Sequence, residues 1–144
     1  MNKVTFKFKS RMENEAFARI SACAFLSPLN PNYDEMMEIK TIVSEAVTNA
    51  IIHGYENEIH KIWIEAEVEG ETITVSVEDF GKGIPDIQKA LEPMYTTRRD
   101  LERSGMGFVF MEAFMDTVKV ESEVGKGTKV TMTKRVGKRY GTDL

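Results

Sequence analysis

Ile62, Ile64, Ala66 and Val68 alternate with polar or aromatic neighbours, and Ile73, Val75 and Val77 repeat the pattern after the turn residues EGE. Side chains on a strand point to opposite faces in turn, so each of these strands buries one face only. Val4, Phe6 and Phe8, interleaved with Thr5, Lys7 and Lys9, have the same period, and further strands are expected over 118–121 and 128–133, joined by VGKGT. A sheet with one apolar face needs a single covering layer, and helical patterns provide it. The spacing predicts a helix from Glu13 with Phe17, Ile20 and Ala24 turned inward. It also predicts a long helix capped by Asp34 and ending at Gly54, a short helical piece at DIQKALE, and a helix over 106–115. The fold class that follows is α/β (α+β), a two-layer sandwich with a mixed or antiparallel sheet and its helices on one face.

A length of 144 residues suits one domain, here 1–144, without repeat or linker. The lone Cys23 fits a reducing compartment, and no apolar run approaches the ~20 residues of a membrane span, so a cytoplasmic protein with no membrane contact is expected. Nineteen Lys and Arg against 23 Asp and Glu give a net charge of −4, which argues against direct nucleic-acid binding. The basic end KRVGKRYGTDL reads as a solvated terminus.

The chemistry begins with SEAVTNAIIHG, where Glu45, Asn49 and His53 stand at successive i, i+4 steps beside the apolar stripe of Ile39, Ile42, Val43, Ala46 and Ala50. A carboxylate at that margin is costly unless something pairs with it. EDFGKGIPD then puts Asp79 at a strand end before Gly81 and Gly83, which permit close ligand approach. Its DFG is not a protein-kinase signature, because the early glycine-rich loop, strand lysine and HRD of such kinases are missing. ERSGMGF sets Gly105 and Gly107 at a helix start, where unpaired N–H groups favour phosphate. Thr96, Thr97, Arg98, Arg99, Arg103 and Ser104 precede it in a loop over about 92–105, the composition of a lid over a polyphosphate.

The order of these motifs, closed by GT before the final strand, resembles the nucleotide-binding domain shared by gyrase, Hsp90, histidine kinases and MutL, the GHKL superfamily with its Bergerat-type ATP-binding fold. SEAVTNAIIHGY, GIPD, TTRRDLERSGMGF and ESEVGKGT are similar, more closely, to the anti-sigma F factor family of endospore-forming bacteria, which are sporulation serine-protein kinases. Neither the phosphoacceptor hairpin of a histidine kinase nor the transducer domain of gyrase or MutL is expected. The resemblance implies ATP/ADP and Mg²⁺ as cofactors, with Asn49 as metal ligand and Glu45 as the base for an incoming serine hydroxyl. It implies Asp79 on the adenine amine assisted by Thr128, Gly81, Gly83 and Ile84 around the base, and Thr96 and Thr97 reaching from the lid. Gly105 and Gly107 would hold the phosphates with Ser104 and Met106 beside them, and Arg103 would neutralise transition-state charge. Glu15 and Arg19 would contact protein partners: sigma F, which the protein would inhibit, and an anti-anti-sigma factor, its phosphorylation substrate. The resemblance further implies a homodimer. The rival reading is a non-catalytic, ATP/ADP-dependent sigma-binding switch; a solitary ATPase is a third.

Overall fold

A computed structural model of the chain describes residues 1–91 and 107–137. Five strands, β1 (Asn2–Lys9), β2 (Lys61–Glu69), β3 (Thr72–Asp79), β4 (Thr117–Glu123) and β5 (Gly127–Arg135), form one sheet in the order β1-β2-β3-β5-β4. Every neighbouring pair is antiparallel. The sheet is therefore antiparallel, the second of the two forms that strand alternation allowed. The register puts Ile64 beside Phe6 and Val77, and Val77 beside Val130, so one apolar row runs across four strands.

Helices α1 (Glu15–Leu26), α2 (Tyr33–Asn49) and α4 (Gly107–Phe114) supply the other layer, and the four-residue α3 (Ile87–Ala90) follows the glycine loop. Ile39, Ile42, Val43, Ala46 and Val47 of α2 are buried with Ile62, Ile64, Ile73, Val75, Met111 and Met132 in one core. Helix α2 begins differently from the sequence expectation. Asn32, two residues before Asp34, is the N-cap: its side chain accepts the Glu35 N–H and the Glu35 carboxylate accepts the Asn32 N–H, both at 2.8 Å. The α-helix also ends at Asn49, and one wider π turn carries Ala50–Gly54. The i, i+4 spacing therefore stops describing the helix surface before it reaches His53.

The face of α1 is the second correction. Ala18, Ala22, Cys23 and Leu26 are buried, whereas Phe17 and Ile20 are 56% and 59% exposed, and Ala24 is exposed. Small residues let α1 lie close to α2, and the bulky pair is left outside, with the Phe17 ring edge-on to Phe6 at 6.0 Å. The basic end is not wholly solvated either, since Val136 is buried and its N–H donates to the Glu71 carbonyl at 2.9 Å.

Candidate nucleotide-binding site

Strand β3 ends at Asp79, which is only 5% exposed although it is a carboxylate. Its Oδ1 accepts the Gly81 N–H at 2.9 Å, and the register sets it opposite Thr128 of β5, whose backbone amide also donates to it. Burial pushes its pKa up to about 6; the two amide hydrogen bonds oppose that shift, and the nearby Glu78 charge adds to it. No cation offsets the charge among the described residues. A buried acceptor with amide donors on one side and no positive partner is suited to a neutral, donor-bearing ligand such as an amino-substituted ring.

The surrounding backbone is packed so closely that only glycine fits. A Cβ on Gly81 would sit 2.0 Å from the Gly54 carbonyl oxygen, and one on Gly54 would sit 2.8 Å from the Asp79 carboxylate. The Lys82 N–H donates to the Gly54 carbonyl at 2.9 Å, which fastens the π turn at the end of α2 to the glycine loop. Gly83 takes φ 78° and packs against the Glu123 carbonyl. Ile84, half-buried, donates its N–H to Ser122 Oγ at 2.7 Å. The Ser122 hydroxyl also donates to the Gly127 carbonyl at 2.9 Å and pairs with Thr128 Oγ1 at 2.8 Å.

Glu45 and Asn49 are both half-buried on α2, one turn apart, and His53 is half-buried in the π turn beyond them. The chain runs from Glu45 and Asn49 into the π turn, and Gly54 at its end abuts the Asp79 carboxylate. No group of three or more His, Cys, Asp or Glu suited to a metal occurs among the described residues. The donor set here is an amide oxygen and a carboxylate on one helix. It fits magnesium, a hard ion that takes oxygen ligands and keeps several of its waters, better than zinc. Gly107 opens α4. Thr96, Thr97, Arg103, Ser104, Gly105 and Met106, with the rest of the 92–105 segment, lie outside the described residues.

Glu15 and Arg19 meet each other on α1: Arg19 Nε donates to Glu15 Oε2 at 2.9 Å. Ser44 of α2 donates to the other oxygen, Oε1, at 3.1 Å, so Glu15 ties α1 to α2 one residue before Glu45. His60 is exposed, 3.4 Å from Glu58, as a surface residue would be. Two participants were not singled out in the sequence, Ser122 and Tyr55. The signal for Tyr55 was its place directly after HG in HGYE, and for Ser122 its place in ESEVGKGT.

The chain matches the family model of the histidine kinase-like ATPase domain over residues 8–134. The anti-sigma F factor of Clostridium acetobutylicum is 55% identical over 93% of this chain and 94% of its own length. The protein of the same name from Oceanobacillus iheyensis is 52% identical over 95% and 94%, and that from Thermoanaerobacter sp. strain X514 is 54% identical over 94% and 95%. A solved structure of the RsbU and RsbW domains of Rv1364c from Mycobacterium tuberculosis superposes with a TM-score of 0.68 at 20% identity, which supports the fold. The match covers 94% of this chain and 32% of that one.

Proposed function

The chain belongs to the anti-sigma F factor family, built on the histidine kinase-like ATPase domain, and we propose that it restrains sigma F and, using MgATP, phosphorylates a serine of an anti-anti-sigma protein. The observation that carries the nucleotide half of this reading is Asp79, a buried carboxylate with no cation beside it among the described residues, set among amide donors. Adenine presents an exocyclic amine that donates to such an acceptor, whereas guanine presents a carbonyl at that position and is repelled. Thr128 holds the acceptor's far side, Ser122 ties Thr128 to Ile84, and Ile84 supplies apolar surface for the base.

From that end the nucleotide runs along α2 toward Asn49 and Glu45. A bound magnesium ion, with the Asn49 amide oxygen as its ligand from the protein, supplies charge neutralisation on the phosphates. Glu45 accepts the proton of the serine hydroxyl and orients its oxygen in line with the γ-phosphorus. Glu45 is half-buried on α2. The N–H groups at the start of α4, which Gly107 opens, donate to phosphate oxygens. Arg103 neutralises charge on the transferring group, with Ser104, Gly105 and Met106 beside the phosphates and Thr96 and Thr97 closing from the lid.

Arg19, tethered through one nitrogen to Glu15, keeps its remaining donors for an acidic group of a protein partner. No helix among the described residues is long and apolar enough to cross a membrane; the proposal takes the protein to be a cytoplasmic homodimer. The reading is tested by incubating the protein with γ-labelled ATP and a candidate anti-anti-sigma protein. Label on a serine of that protein is the expected result. Nucleotide and sigma binding without any transfer would leave a switch, and rapid partner-independent phosphate release would leave an ATPase.

A further inference from the structure

Directly after the π turn comes Tyr55, whose side chain runs back under the glycine loop. It is 6% exposed. Its hydroxyl donates to the Lys61 carbonyl at 2.5 Å and accepts the Phe80 N–H at 2.8 Å. Phe80 is the residue after Asp79, so this second bond fixes the peptide plane on which the Asp79 carboxylate is mounted. The chain around Tyr55 is bent to permit the contact. Glu56 and Asn57 both take left-handed conformations, φ 50° and 66°, which non-glycine residues adopt at a cost. The turn is closed by Asn57 N–H to the Ile51 carbonyl at 3.0 Å and Glu58 N–H to the Tyr55 carbonyl at 2.9 Å. A hydroxyl buried here, satisfied as both donor and acceptor, links the end of α2, the start of β2 and the end of β3.

We propose that Tyr55 is the positioning residue for adenine selectivity: its hydroxyl holds Phe80, and through it Asp79, at the orientation that receives the exocyclic amine. The inference rests on Asp79 being the adenine acceptor. The β3–β5 pairing fixes Asp79 on its sheet side, and Gly81 holds Oδ1. The Phe80 amide is where the chain leaves the sheet, and the phenol is its acceptor there. Without it the Phe80 N–H loses its acceptor, and the 79–80 peptide, which carries Asp79, is held only by its packing against Gly127 and is less firmly oriented. Tyr55 touches neither phosphate nor serine in this account, so its effect falls on recognition of the base and not on phosphoryl transfer.

The test is Tyr55→Phe, which keeps the ring and removes only the hydroxyl. Calorimetric titration is expected to show ATP affinity reduced about tenfold, roughly what one or two lost hydrogen bonds supply, with a reduced preference for ATP over GTP. Transfer at saturating ATP is expected to stay within about twofold of the parent rate. The double variant Tyr55→Phe/Asp79→Asn is expected to bind ATP no more weakly than Asp79→Asn alone, because both act on one contact. A lowered melting temperature with unchanged ATP affinity and unchanged ATP-over-GTP preference would reduce Tyr55 to a structural residue and overturn the inference. Full additivity in the double variant would also overturn it. If Asp79→Asn alone left ATP affinity intact, the adenine assignment itself would fail, a result distinct from failure of the Tyr55 claim. Should Tyr55→Phe not fold, amide hydrogen exchange on the parent protein decides. Protection of the Phe80 amide that rises when ATP binds supports the inference; an amide that exchanges as fast with ATP as without it contradicts it.

Discussion

A Cβ placed on Gly54 would lie 2.8 Å from the carboxylate carbon and both oxygens of Asp79. The end of the π turn that follows α2 and the end of β3 are thus in direct contact through the smallest residue available. Asp79 cannot move away easily, because its own carbonyl is held against Gly127 on β5.

Gly54→Ala is therefore expected to displace the carboxylate from its amide donors. ATP affinity should fall by at least tenfold, with stability lowered by about 1 to 3 kcal/mol, the usual cost of overpacking. Calorimetry and urea unfolding measure the two effects separately. A full-affinity Gly54→Ala protein would show that the acceptor tolerates relocation.

Glu45→Ala is expected to abolish phosphotransfer to serine, by at least a hundredfold for a lost general base, while ATP and sigma binding persist. Single-turnover transfer beside nucleotide titration checks it. Unaltered transfer would remove Glu45 from the mechanism and favour positioning alone.

Arg19→Glu should weaken sigma binding and leave nucleotide affinity alone. The Glu15–Arg19 pair is partly exposed, so its loss costs stability at most about 1 kcal/mol. The new carboxylate would also repel Glu15, which still holds Ser44. Loss of sigma and ATP binding together would instead report that α1 had come loose from α2.

The strands and the apolar stripe of α2 were legible because alternation and helical periodicity are local properties, and one face of each element is clearly polar. Helix α1 was not legible in phase. Ala16, Phe17, Ile20, Ala22, Cys23, Phe25 and Leu26 spread apolar character around its axis. Only the close approach to α2 selects Ala18 and Ala22 over Phe17 and Ile20 as the buried side. The π turn at Ala50–Gly54 was equally hidden, since its apolar residues suit an α-helix, and the close approach of Gly54 to Asp79 and Gly81 is visible only in the folded chain. Asp79, Gly81 and Thr128, which motif order singled out, do lie together in the fold. Tyr55 bonds Phe80, the neighbour of Asp79, and Ser122 bonds Thr128, and the Tyr55 contact exists only once segments distant in sequence are brought together.

The raised Asp79 pKa has a definite consequence for stability. A carboxylate at about 6 in the folded state, against 3.8 for its ordinary value, binds its proton more tightly folded than unfolded. That contribution is fully present below about pH 4 and is lost as pH rises through about 6. Relative to Asp79→Asn, the parent protein without nucleotide should lose roughly 2 to 3 kcal/mol between about pH 4 and pH 7.5. Parallel stability profiles of the two proteins would contradict this.

The proposed adenine recognition depends on the ionised Asp79 receiving the exocyclic amine, and ATP affinity as a function of pH measures that directly. When the parent protein and Asp79→Asn are titrated with ATP at about pH 7.5 and about pH 5, strong parental binding is expected at the higher pH. At the lower pH that binding should be about tenfold weaker, as the buried carboxylate takes up its proton, while the variant binds weakly at both. Equal affinities of parent and variant at pH 7.5 would contradict it.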